Sequence, residues 1–137
     1  MSVGENKALA RRVLEGMFNK GNLDVADELL ALNYVDHDPA MPEDIRGPER
    51  FQQYVGTYRS AFSDLHLEIE DQVAEGDKVV TRWTGTGTHD GELSGIPPTD
   101  NRVTLPGMEI VRISGGKLVE GWEGYDTMNL MRQLGVM

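Results

Sequence analysis

The chain changes its hydrophobic period at Ser63-Asp64, and that change limits its fold more than any other feature. Before this point apolar residues recur at helical spacing; after it they alternate every second position. Leu9, Val13 and Met17, with Ala10, Leu14 and Phe18 beside them, predict a helix over residues 5–18. Gly21 stops it, and Asn22 is placed to cap a second short helix over 23–31, burying Ala26, Leu29 and Leu30. Asn33 to Asp38 reads as extended, and residues 39–44 as a loop. Gly47-Pro48 opens a third helix, whose apolar stripe Phe51, Tyr54, Val55, Tyr58 and Phe62 is the most aromatic in the chain.

Past the switch, Leu65, Leu67, Ile69, Asp71 and Val73 share one strand face, while His66, Glu68, Glu70 and Gln72 share a wet one. Strands follow over 78–88, 102–113 and 117–125, separated by a Gly/Pro/Asp-rich loop (89–101) and the Ser114-Gly115-Gly116 turn. Asp126 begins a terminal helix that stops at Gly135. Helices first and a four-stranded antiparallel meander afterwards predict an α+β fold. The expected architecture is a cone-shaped, curved antiparallel sheet with N-terminal helices on its concave face, leaving a pocket lined by both layers. With 137 residues and no internal linker, the whole chain (1–137) reads as one domain.

Composition narrows the function classes. Thirteen Lys and Arg against 23 Asp and Glu give a net charge of −10, which repels phosphate backbones and excludes nucleic acid as an expected partner. No apolar run spans a bilayer and the N-terminus has no apolar h-region, so the expectation is a cytoplasmic protein with no membrane partner. The absence of cysteine removes disulfides, thiolate nucleophiles and Cys-based metal sites. The three histidines lack metal-ligand spacing, so no metal is expected.

Several blocks together carry a family resemblance. They are Gly21-Asn22-Leu23-Asp24, Tyr34-Val35-Asp36-His37-Asp38-Pro39, Gly87-Thr88-His89-Asp90-Gly91, Gly95-Ile96-Pro97-Pro98-Thr99, Gly116-Lys117-Leu118-Val119-Glu120-Gly121-Trp122 and Leu130-Met131-Arg132-Gln133-Leu134-Gly135. Across nearly its whole length the chain resembles the SnoaL-like polyketide cyclases of the nuclear transport factor 2-like superfamily. The resemblance implies a cone-shaped α+β barrel, often a homodimer through the outer sheet face. It also implies cofactor-free intramolecular aldol chemistry on an apolar carbonyl compound, with a catalytic Asp on the last strand. The best-studied cyclases carry a His on the hairpin; this chain has none there.

Candidate chemistry was sought in carboxylates and histidines on otherwise apolar segments. Asp126 closes the last strand four residues after Trp122 and is the first candidate, though it is equally suited to cap the following helix. Glu123 and Glu109 are alternative acids on the same hairpin. A two-residue turn puts Glu109 opposite Trp122; a three-residue loop puts Met108 there and groups Met108, Ile110, Arg112, Trp122 and Asp126 on one face. His37 and His89 are candidates at the pocket mouth and rim, and Trp83, Tyr54 and Tyr58 are candidate lining residues.

Three functions compete at this level. One is the cyclase. A second is another reaction on the same cone: an epoxide hydrolase would need Arg82 or Arg112 beside Asp71 or Asp126, and an isomerase would need one of Tyr34, Tyr54, Tyr58 or Tyr125 opposite an acid. The third is a non-catalytic module that binds an apolar small molecule, which a pocket without a shifted acid or base would favour.

Overall fold

A computed structural model describes residues 2–137. The first helix, α1 (Val3–Leu14), starts with a capping box: Ser2 Oγ accepts from the Glu5 N–H, and the Glu5 carboxylate accepts from the Ser2 N–H. It widens into a π-helical turn, Glu15–Asn19, and ends at Gly21, whose φ is +69°. Helix α2 (Val25–Leu29) is shorter than its sequence suggests, because the chain turns extended at Leu30. Asn22 makes no side-chain cap there; the residue before the helix is Asp24. Helix α3 (Gly47–Ala61) has Pro48 in its first turn and buries Phe51, Tyr54 and Val55, as the aromatic stripe predicts. Helix α4 (Thr127–Gln133) closes the chain.

The sheet has six strands in the order β2-β1-β6-β5-β4-β3. The predicted meander is its larger part: β3 (His66–Glu75), β4 (Lys78–Thr88), β5 (Arg102–Ser114) and β6 (Lys117–Tyr125), paired antiparallel. Strand β1 (Leu30–His37) adds to the far side of β6 in parallel, and β2 (Ile45–Arg46) extends it at the edge. The parallel pairing joins residues 85 to 88 positions apart, which local periodicity does not report. It brings Asp36 beside Gly121 and His37 beside Trp122.

Two one-residue bulges decide what faces inward. In β3 the register shifts between Ile69 and Asp71, so the alternation reverses there. Val73, expected on the apolar face, is 62% exposed, while Gln72 turns in to donate to the Lys7 carbonyl at 3.0 Å. In β6 the turn itself is tight, with Ser114 opposite Lys117, but a shift follows at once and leaves Val119 extra. Beyond it Ile110 faces Trp122 and Glu109 faces Glu123, one step from the two-residue-turn register and two from the three-residue-loop register, whose grouping of Met108, Ile110, Arg112 and Trp122 on one face it keeps.

Helices and sheet enclose one main core, in which Met17, Ala26, Val55 and Val79 are fully buried. Two glycines make room for large side chains. A Cβ on Gly107 would lie 2.3 Å from the Trp83 ring, its cross-strand partner. A Cβ on Gly121 would lie 2.6 Å from both the Tyr34 hydroxyl and Asp36 Oδ1.

Candidate active site

The inner face of the sheet and helix α3 form a cavity of about 80 Å³. Its wall is mostly apolar and aromatic, including Phe18, Tyr54, Tyr58, Phe62, Trp83 and Tyr125, and a single carboxylic acid, Glu123, reaches it. Trp83, Tyr54 and Tyr58, candidate lining residues in the sequence, are part of this wall. Arg82, next to Trp83, points the other way and is exposed.

Behind this wall lie four carboxyl groups. Asp36 and Asp38 come from β1 and its end, Glu109 from β5 and Glu123 from β6. Asp36 is fully buried, and Asp38 and Glu109 are 5% exposed; Glu123 is half-buried. Among the described residues no lysine or arginine is buried to balance them. Like charges crowded in low dielectric cannot all ionise, so some of these acids keep their protons. Burial, then the charge of Asp36, pushes Glu109 up to about 8. Burial raises Asp36 to about 6, with Asp38 adding to the effect. Glu123 is raised well above the usual carboxylate range, first by burial and then by Glu109 and Asp36.

Tyrosines supply the donors. The Tyr34 hydroxyl donates to Asp36 Oδ1 at 3.3 Å, and those of Tyr54 and Tyr125 donate to Asp38 Oδ2 at 2.7 and 2.8 Å. Among the described residues Asp36 Oδ2 has no hydrogen-bond partner, and the Glu123 carboxyl lies beside Asp36. Burial raises the tyrosine hydroxyls too, so they remain protonated donors.

Other candidates lie elsewhere. Asp126 is exposed, and its Oδ1 accepts from the Asn129 N–H at 2.9 Å as the cap of α4. The strand ends at Tyr125, so Asp126 does not continue the inner face. Met108 is 54% exposed on the outer face of β5, where Arg112 also lies. Trp122 stacks on His37 there, ring centres 5.7 Å apart, at an open groove that also reaches Asp38 and Glu123. His37 is held between Glu120 (2.8 Å) and Asp44 (3.1 Å), which raise its pKa above the ordinary value, and Arg112 donates to Glu120 at 3.2 Å. His89 is fully buried and pins the 95–99 loop: its Nδ1 accepts from the Thr99 N–H at 3.2 Å. That leaves Nε2 carrying the proton, with no partner for it.

Neither arginine considered for a hydrolase reaches the cavity. Arg82 pairs across strands with exposed Asp71, and Arg112 is tied to Glu120. Asp36 and Asp38, which lie in the segment that reads as extended and are not among the candidate acids, belong to the site. Their signal was the alternation Tyr34, Asp36, Asp38, which puts both acids on the tyrosine's face.

The sequence matches the family model for SnoaL-like polyketide cyclase over residues 8–134. It is 32% identical over 133 residues to the aklanonic acid methyl ester cyclase DnrD of Streptomyces peucetius, covering 93% of this chain and 88% of that one. It is 35% identical over 121 residues to the nogalonic acid methyl ester cyclase of Streptomyces nogalater, covering 86% and 89%. Among solved structures, TsrD from Streptomyces laurentii superposes with a TM-score of 0.88 at 30% identity, covering all of this chain and 99% of that one. The chain belongs to the SnoaL-like polyketide cyclase family.

Proposed function

We propose that the protein closes a ring in a polyketide ester by intramolecular aldol addition, without a cofactor, using Glu123 for proton transfer. The observation that carries this reading is one carboxyl with raised proton affinity in the wall of an apolar, aromatic cavity. The two cyclase relatives, named for the methyl esters of aklanonic and nogalonic acid, support an ester substrate.

The minor ionised form of Glu123, in equilibrium with the protonated resting form, takes a proton from the carbon flanked by two carbonyls. The resulting enolate carbon attacks a second carbonyl of the same molecule; a C–C bond forms and the C=O π pair moves to oxygen. Glu123 returns its proton to that oxygen, so the product is an isomer of the substrate. Raised basicity favours the first step and a neutral acid favours the last. Glu109 and Asp36 tune the group: their negative charge, buried with it, is what raises its proton affinity. Asp126, His89 and His37 take no proton-transfer role in this reading, because one caps a helix, one pins a loop and one lies on the outer face. A cytoplasmic homodimer through the outer face, where Met108 and Ile110 are exposed, completes it; light scattering tests the dimer.

The decisive experiment incubates the protein in deuterated water with aklanonic acid methyl ester, the compound named for one relative. The expected result is cyclisation, with exchange of the activated C–H, and a loss of roughly 10²- to 10⁴-fold in Glu123→Gln. Full activity in that variant, or neither cyclisation nor exchange by the native protein, overturns the proposal.

A further inference from the structure

One aspartate and three tyrosines form a hydrogen-bonded chain beside the cavity, and its direction is fixed. Asp38 Oδ1 accepts from the Ala40 N–H at 2.9 Å. Asp38 Oδ2 accepts from the hydroxyls of Tyr54 at 2.7 Å and Tyr125 at 2.8 Å. A hydroxyl has one proton, and that of Tyr125 is committed to Asp38. The 2.8 Å contact between the hydroxyls of Tyr58 and Tyr125 therefore runs from Tyr58 to Tyr125. The proton of Tyr58 is committed in turn, and what its oxygen has left is lone pairs.

Tyr58 and Tyr125 both line the apolar cavity. We propose that the Tyr58 oxygen offers the ligand a hydrogen-bond acceptor, making this point of the cavity a subsite for a hydroxyl group, a phenol or an alcohol. A ligand carbonyl or ether at the same point meets an oxygen that cannot donate without breaking the chain, and both oxygens stay unpaired. Asp38 acts here as a positioning residue, since it sets the polarity of Tyr58 through Tyr125. The inference rests on reading the cavity as the ligand site, and not on which reaction occurs there.

Binding of 1-naphthol and of its methyl ether, 1-methoxynaphthalene, followed by NMR titration, tests the polarity without any turnover. The native protein is expected to bind the naphthol roughly 3- to 10-fold more tightly than the ether, the scale of one net hydrogen bond. Tyr58→Phe should bring the two affinities together. Asp38→Asn places an amide N–H where Oδ2 accepted, so Tyr125 donates to Tyr58 and Tyr58 donates to the cavity; the ether should then bind more tightly than it does to the native protein. Equal binding of both probes by the native protein, binding of neither, or an unchanged ratio in Tyr58→Phe overturns the proposal. Should Asp38→Asn fail to fold, Tyr58→Phe decides alone. Selective binding in a protein that cyclises nothing would sink the proposed reaction and leave this subsite standing.

Discussion

On the inner side of strands β1, β5 and β6, Asp36, Asp38, Glu109 and Glu123 crowd together without a cation. On the outer side of the same strands, His37, Arg112 and Glu120, joined by Asp44 from the segment before β2, alternate in sign and touch water. The two groups are interleaved in sequence: Asp36, His37 and Asp38 take opposite sides in turn, as do Trp122 and Glu123. Inside, desolvation dominates and raises the proton affinity of Asp36, Glu109 and Glu123. Outside, hydrogen bonds to carboxylates dominate, raising His37 while lowering Glu120. The same residue types therefore serve as proton reservoirs on one face and as ion pairs on the other, and one step along a strand separates the two roles.

The sharpest way to break the comparison is to neutralise one acid on each face. Glu123→Gln should cost roughly 10²- to 10⁴-fold in kcat/KM, whereas Glu120→Gln, three residues earlier, should change it by no more than a few-fold. Comparable losses would show that the face does not matter.

The second test uses stability. Glu109 is raised in the folded state, so between its unfolded value near 4.5 and about 8 the native protein holds a proton that the unfolded chain has released. Stability should fall as pH rises through that window. Glu109→Gln should flatten the fall and stabilise the protein by about 1–3 kcal/mol at pH 9, measured by urea unfolding at several pH values. A variant less stable than the native protein at pH 9 would contradict the account.

Smaller effects follow at the edges. Asp126→Ala removes the cap of α4 and should cost about 1 kcal/mol of stability, while cyclisation by the folded protein is kept. His37→Gln should cost under about 1 kcal/mol because the pair is partly exposed. Its raised folded pKa makes that contribution complete below about 6.5 and lost as pH rises through the folded value. The difference between variant and native protein should therefore shrink at alkaline pH.

Much of the architecture could be read from period alone. The stripe of α3, the strands and the Gly115-Gly116 turn are local features, and they fell where the sequence put them. The parallel pairing of β1 with β6 could not be read, because its partners are far apart and neither signals the other. The site was harder still. A single extra residue in β6, Val119, moves Glu123 inward and sends Trp122 to the outer side, while the unbroken alternation of β5 puts Glu109 inward and Met108 outward. Nothing in the composition of Leu118-Val119-Glu120 announces that bulge. Asp126 was attractive because it ends a strand and is acidic, yet the helix after it claims its carboxylate. Asp36 and Asp38 were missed although their segment reads as extended, because only the pairing of β1 with β6 buries their side of it.

The most direct measurement is infrared spectroscopy of the carboxyl C=O stretch across a pH titration, on the native protein and on Glu109→Gln and Glu123→Gln. The account predicts protonated-acid bands that persist at pH 7, with one lost in each variant. A spectrum in which every carboxyl is ionised by pH 6 would contradict the claim that the inner face stores protons.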